Sequence, residues 1–171
     1  PPPLFSSAAS DVYKRQRKAG AKNYELYSKE ILKVCKNKPI SFEVFADDYE
    51  NILRQALKIK SWGKNVFVKI PVENSKGIFM GKVINELSKN NIKMNITAVY
   101  PHKQTSKRLS TITKGKSKVI ISIFAGRAGD VGKDPVPEIK KSINFAKKFK
   151  NVKILWASVR AVSYTHLRAH E

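Results

Sequence analysis

Five strand-length apolar runs, each separated from the next by an amphipathic stretch, restrict this chain to folds in which helices cover a parallel sheet. The runs fall at residues 40–45, 65–70, 94–100, 119–124 and 152–157, and they are rich in β-branched and aromatic side chains, as strands buried on both faces should be. Between them the period becomes helical. Tyr49, Ile52, Leu53 and Ala56 recur at i, i+3, i+4 and i+7 behind Asp47 or Asp48 as an N-cap. Asp134 followed by Pro135 opens another helix, whose inner face is expected to carry Ile139, Ile143 and Ala146.

Repeated βα units either close into a barrel or stay open as a doubly wound sheet, and periodicity does not choose between them. The polar side chains do. Glu43, Lys69, Asn95 with Thr97, Ser122, and Ser158 each lie within one of the five runs or just past its C-terminal end. An open sheet binds its ligand at one switch point, whereas a barrel collects site residues from many strands, so the distribution favours a (β/α)8 TIM barrel.

A chain of 171 residues with 42% hydrophobic content is one domain or part of one. Its longest apolar runs are far short of the roughly 20 residues that cross a bilayer, so no membrane partner is expected. Cys35 is the single cysteine, which excludes a disulfide framework and suits a reducing cytosol; a cytoplasmic protein is expected. His102, His166 and His170 are too few and scattered for a metal cluster. The net charge of +21 raises a basic nucleic-acid-binding protein as an alternative of another class. Its distribution argues against one: lysines are spread over nearly every predicted helix and loop, as on solvated faces. Aromatics should interleave with basic residues on a stacking platform. Instead Tyr24, Tyr27, Tyr49, Phe145 and Phe149 sit at helical core spacing.

The two ends read differently from the middle. Residues 1–16 open with three prolines and show neither period, and both they and residues 162–171 resemble translated library-adapter sequence. The expected domain is therefore residues 17–161.

Lys69 lies in Val66-Phe67-Val68-Lys69-Ile70-Pro71, where a strand should otherwise be buried. Desolvation disfavours the charged form of a lysine and frees the amine to attack a carbonyl. The same position also suits a strand-end lysine whose head reaches water. Glu43, a carboxylate within an apolar run, could relay protons or simply form an ion pair with Lys69; Thr97 could hold a water or bond the local backbone. Gly126-Arg127 and Ser158-Val159-Arg160 place two arginines past the ends of neighbouring strands, suited either to a phosphate or to the open surface. Lys114-Gly115-Lys116-Ser117 is no P-loop, because Ser110 stands where the first glycine is required and a strand follows instead of a helix.

Ser41-Phe42-Glu43-Val44, Val68-Lys69-Ile70-Pro71-Val72, Asn95-Ile96-Thr97, Ser122-Ile123-Phe124-Ala125-Gly126-Arg127 and Trp156-Ala157-Ser158-Val159-Arg160 together resemble successive strand motifs of the transaldolase family, in order and spacing. The resemblance implies an incomplete barrel, with its third to seventh strands present. It makes Lys69 the Schiff-base lysine and Glu43 the acid/base acting through a water that Thr97 helps to hold. Asn95 and Ser122 would bind hydroxyls of a dihydroxyacetone unit, Phe124 would line the site, and Arg127, Ser158 and Arg160 would bind the phosphate. The implied activity is transfer of that unit between sugar phosphates, a step of the pentose phosphate pathway, with no metal or organic cofactor. The oligomeric state stays open, a homo-oligomer included.

Related fructose-6-phosphate aldolases tend to carry Gln at the Glu43 position and Tyr at the Phe124 position, so the chain looks closer to the transferases, with an aldolase-like lyase as the alternative. Two departures stand out. Glu73 follows Val72 where many relatives have Thr nearby. The strands that carry the family's Asp and its Thr-Thr-Asn-Pro motif, and the eighth strand, are not recognised, so the chain by itself is expected to be inactive.

Overall fold

The computed structural model describes residues 23–100 and 117–158. Its centre is a five-stranded, all-parallel sheet in sequence order: β1 (Ile40–Glu43), β2 (Val66–Pro71), β3 (Met94–Val99), β4 (Val119–Phe124) and β5 (Val152–Ala157). Consecutive neighbours joined by crossovers of this kind are the arrangement that a (β/α) barrel uses, and the five runs expected as strands are the five strands found. The helices are α1 (Tyr24–Cys35), α2 (Tyr49–Lys60), α3 (Gly81–Lys89), a short α4 (Ala125–Asp130) and α5 (Val136–Ala146). The tails at residues 1–16 and 162–171, and Arg160, lie outside the described residues.

Alternation along the strands separates two faces. Ile40, Phe42, Val66, Val68, Ile70, Met94, Ile96, Val119, Ile121, Ile123 and Val152 form a buried apolar cluster with Ile52, Ala56 and Ile59 of α2 and Val83, Ile84 and Leu87 of α3. Burying one such side chain contributes about 1.5–3 kcal/mol, so this face dominates the cohesion of the sheet. Ser41, Glu43, Lys69, Asn95, Thr97 and Ser122 occupy the alternate positions, on the opposite face.

Asp48 is the N-cap of α2, its carboxylate accepting the Asn51 N–H at 3.0 Å. Two expected inner residues are turned outward: Tyr49 is 42% and Ile143 40% exposed. At 3.6 residues per turn the buried face of α5 is centred on Ile139, Ser142 and Ala146, and Ile143 falls off its side. Likewise α2 buries Ile52, Ala56 and Ile59, which leaves Tyr49 off-centre in the first turn. Tyr24, Tyr27, Phe145 and Phe149 do pack against the core. β1 also stops earlier than its apolar run, because the N–H groups of Phe45 and Ala46 leave the ladder for Gln55 Oε1, at 2.7 and 3.1 Å.

β3 contains the one register shift recorded in the sheet, a bulge between Ile96 and Val99 with Ala98 at φ 60°. The extra residue inverts the alternation. Val99 pairs with Ile123 and joins the apolar core, so Thr97 and Tyr100, three positions apart, both come to the polar side.

Candidate functional site

Cross-strand register carries the polar face. Glu43 is the partner of Lys69, and Lys69 of Asn95, so three polar residues lie side by side on three neighbouring strands. Thr97 follows two positions on, opposite Pro71. Lys69 Nζ lies 3.3 Å from Glu43 Oε2, with the lysine side chain only 4% exposed and the carboxylate 32%. This geometry joins two residues that sequence alone could leave as separate features. A buried amine beside a carboxylate that still reaches solvent can hand its proton across and meet a carbonyl as a neutral nucleophile.

Next to this pair runs a buried chain of hydrogen bonds. Ser122 Oγ donates to Asn95 Oδ1 at 2.7 Å, and Asn95 Nδ2 donates to Ser41 Oγ at 3.0 Å. The chain links β1, β3 and β4 through the Asn95 side chain. Thr97 Oγ1 is buried and meets no hydrogen-bond partner among the described residues.

Past the end of β4, Arg127 is exposed but constrained. Its guanidinium lies 5.3 Å from the Phe124 ring centroid, and its Nη1 donates to the Tyr100 hydroxyl at 2.9 Å. Tyr100 and Phe124 meet edge to face at 5.8 Å. Two side chains from two strand ends thus hold the guanidinium beside the C-terminal edge of the sheet. Ser158 follows β5 directly, with φ 58°, a left-handed conformation that is uncommon outside glycine.

On the outer side of β1, the Tyr24 hydroxyl accepts the Glu43 N–H at 3.1 Å. Burial pushes the Tyr24 phenol above the usual tyrosine range, so it stays neutral. The two loops at this end are tied together. Asp47 accepts from the Ser75 N–H at 2.7 Å and from the Ser75 hydroxyl, and Asn74 folds the second loop by accepting from the N–H groups of Lys76 and Ile78. Gly77 closes that turn at φ 73°, where a Cβ would be strained.

The structure therefore brings Glu43, Lys69, Asn95, Thr97 and Ser122 to one sheet face and puts Phe124, Arg127 and Ser158 at its C-terminal rim. Ser41, Tyr24 and Tyr100 were not singled out as site residues from sequence. Ser41 could have been found from its i−2 relation to Glu43, which puts both on one face; Tyr100 could not, since simple alternation from Thr97 directs it the wrong way.

A family model described as "Transaldolase/Fructose-6-phosphate aldolase" matches residues 2–170. A probable transaldolase from Thermoplasma volcanium is 34% identical over 144 residues, covering 82% of this chain and 59% of that protein. One from Thermoanaerobacter sp. (strain X514) is 31% identical over 133 residues, covering 77% and 57%, and one from Methanococcus maripaludis (strain DSM 14266) is 37% identical over 118, covering 69% and 50%. The chain spans less than two thirds of the length of these relatives.

Proposed function

The chain belongs to the transaldolase/fructose-6-phosphate aldolase family, and from that premise we propose that it carries the Schiff-base machinery of a transaldolase, with Lys69 as the nucleophile. The observation that supports this most is the buried Lys69 Nζ at 3.3 Å from Glu43 Oε2. Glu43 takes a proton from the Lys69 ammonium, and the neutral amine adds to the C2 carbonyl of a ketose phosphate. Glu43 returns a proton to the resulting hydroxyl, which leaves as water, and the iminium forms. Thr97, with its unpartnered buried hydroxyl, holds the water through which these protons pass.

Cleavage between C3 and C4 requires a base to take the C4 hydroxyl proton, a role the family gives to the Asp of a strand not recognised in this chain; the bonding electrons pass into the iminium and an aldose phosphate is released. The dihydroxyacetone unit stays on Lys69, with its hydroxyls against the Asn95–Ser122 pair, until a second aldose accepts it. Arg127 binds the phosphate together with Ser158 and Arg160, and Phe124 lines the approach. No metal or organic cofactor takes part in this scheme.

Trapping with borohydride in the presence of a ketose phosphate tests the proposal: mass spectrometry of the active enzyme should find a three-carbon adduct on Lys69. An adduct on another lysine, or none on an active enzyme, rejects it. An aldolase reading keeps the lysine but releases dihydroxyacetone free. Glu43 and Phe124 favour transfer, and turnover of donor with and without an acceptor aldose separates the two.

A further inference from the structure

Every strand from β2 to β5 is preceded by a lysine. Lys64 and Lys150 stand two residues before β2 and β5, and Lys93 and Lys118 stand immediately before β3 and β4. They converge with Lys153 on a cavity of about 610 Å³ at the N-terminal mouth of the sheet, the end opposite the Arg127 rim. Phe67 and Ile120 also line it, together with Asn65 and Asn151. Among the described residues no carboxylate does.

Elsewhere on the described surface some lysines do meet carboxylates: Glu25 pairs with Lys29 and Lys58, Glu86 with Lys89 and Glu138 with Lys141. Five ammonium groups around one cavity repel each other, and repulsion of this kind is offset when a multiply charged anion enters. The mouth is also built firmly. Asn65 Nδ2 donates to the carbonyls of Lys36 and Lys38 at 2.9 and 2.7 Å, and Asn151 Nδ2 to the Ser117 carbonyl at 2.8 Å. Lys93 Nζ donates to the Lys64 carbonyl at 2.6 Å, which fixes one cation over the Phe67 ring, 5.8 Å from its centroid. A volume of this size suits a small molecule, and a lysine ring without a planar fork suits phosphate oxygens as point charges.

We propose that this mouth binds a small polyphosphate anion, a di- or triphosphate group, at the N-terminal end of the sheet face that carries Lys69 and independent of the reaction assigned there. Tripolyphosphate stands for the group alone and adenosine triphosphate for the same group on a nucleoside. The test is acetylation of the 171-residue chain followed by mass spectrometry, with each ligand in turn. Lys64, Lys93, Lys118, Lys150 and Lys153 should lose reactivity saturably, while Lys33 and Lys140, which are exposed on α1 and α5, keep theirs. Equal protection by both ligands assigns recognition to the phosphates; stronger protection by the nucleotide adds a contact to the base. Lys118→Gln with Lys153→Gln should weaken tripolyphosphate binding by about tenfold or more, and Lys33→Gln with Lys140→Gln should leave it unchanged. Uniform loss of reactivity at all lysines, no loss at the five, or equal weakening by both double variants overturns the proposal.

Discussion

The Tyr100 hydroxyl accepts a hydrogen bond from Arg127 Nη1 at 2.9 Å across the ends of β3 and β4, and it can do so only because the bulge at Ala98 turns Tyr100 to the polar side. An exposed arginine samples many rotamers, and holding it in one lowers the entropy lost when an anion arrives. Tyr100→Phe in the active enzyme should therefore raise KM for phosphorylated sugars by roughly two- to tenfold, the range expected of one hydrogen bond. Its kcat should be little changed. Arg127→Ala should cost more, and both should leave unphosphorylated substrates nearly unaffected. Equal losses on both substrate types would remove the phosphate role.

The Lys69–Glu43 pair is asymmetric in burial, 4% against 32%, and the two partners should respond differently to substitution. Lys69→Met removes the buried charge and leaves a carboxylate that solvent can reach, so the melting temperature should stay level or rise while turnover vanishes. Glu43→Ala instead leaves an ammonium buried without a partner and should lower the melting temperature clearly. Thermal unfolding of the two variants side by side checks this, and the reverse order would show that Lys69 is not desolvated.

The Asp47 carboxyl is held below the ordinary carboxylate range, first by the Ser75 hydroxyl and then by the Ser75 N–H. A carboxyl depressed in the folded state contributes stability that is present above its unfolded value and lost as pH falls through its folded value. The loop at residues 73–79 should thus open on acidification. Amide hydrogen exchange in that loop should quicken as pH drops below the usual aspartate range, after correction for intrinsic rates. Asp47→Asn should abolish the pH dependence.

β1 and β5 are the outer strands of the sheet among the described residues. The outward N–H of Glu43 is taken by Tyr24, and those of Phe45 and Ala46 by Gln55, which blunts the β1 edge. Self-association of the 171-residue chain, if edge pairing drives it, should therefore run through β5. Light scattering should fall with Leu155→Lys, which puts a charge on that edge, and unchanged scattering would show that β5 is not the sticky strand.

Sequence by itself determined the parallel βα order, the five strands and the polar residue that each contributes, because strands buried on both faces leave a nearly continuous apolar run in which Glu43, Lys69, Asn95 and Ser122 stand out. It also narrowed the α2 cap to Asp47 or Asp48, since an N-cap is a local hydrogen bond, and the structure chose Asp48. What it left undecided was non-local. Whether Lys69 reached water or met Glu43 depended on the register between β1 and β2, which no single strand encodes. Helical spacing alone put Tyr49 and Ile143 inward, but the direction from which the sheet approaches each helix decided otherwise. Tyr100 was hidden for the same kind of reason: one extra residue at Ala98 reverses the alternation, and only pairing with β4 reveals it. The lysines at the N-terminal mouth look like scattered surface charge along the chain, and only the parallel packing of four strand starts gathers them around one cavity.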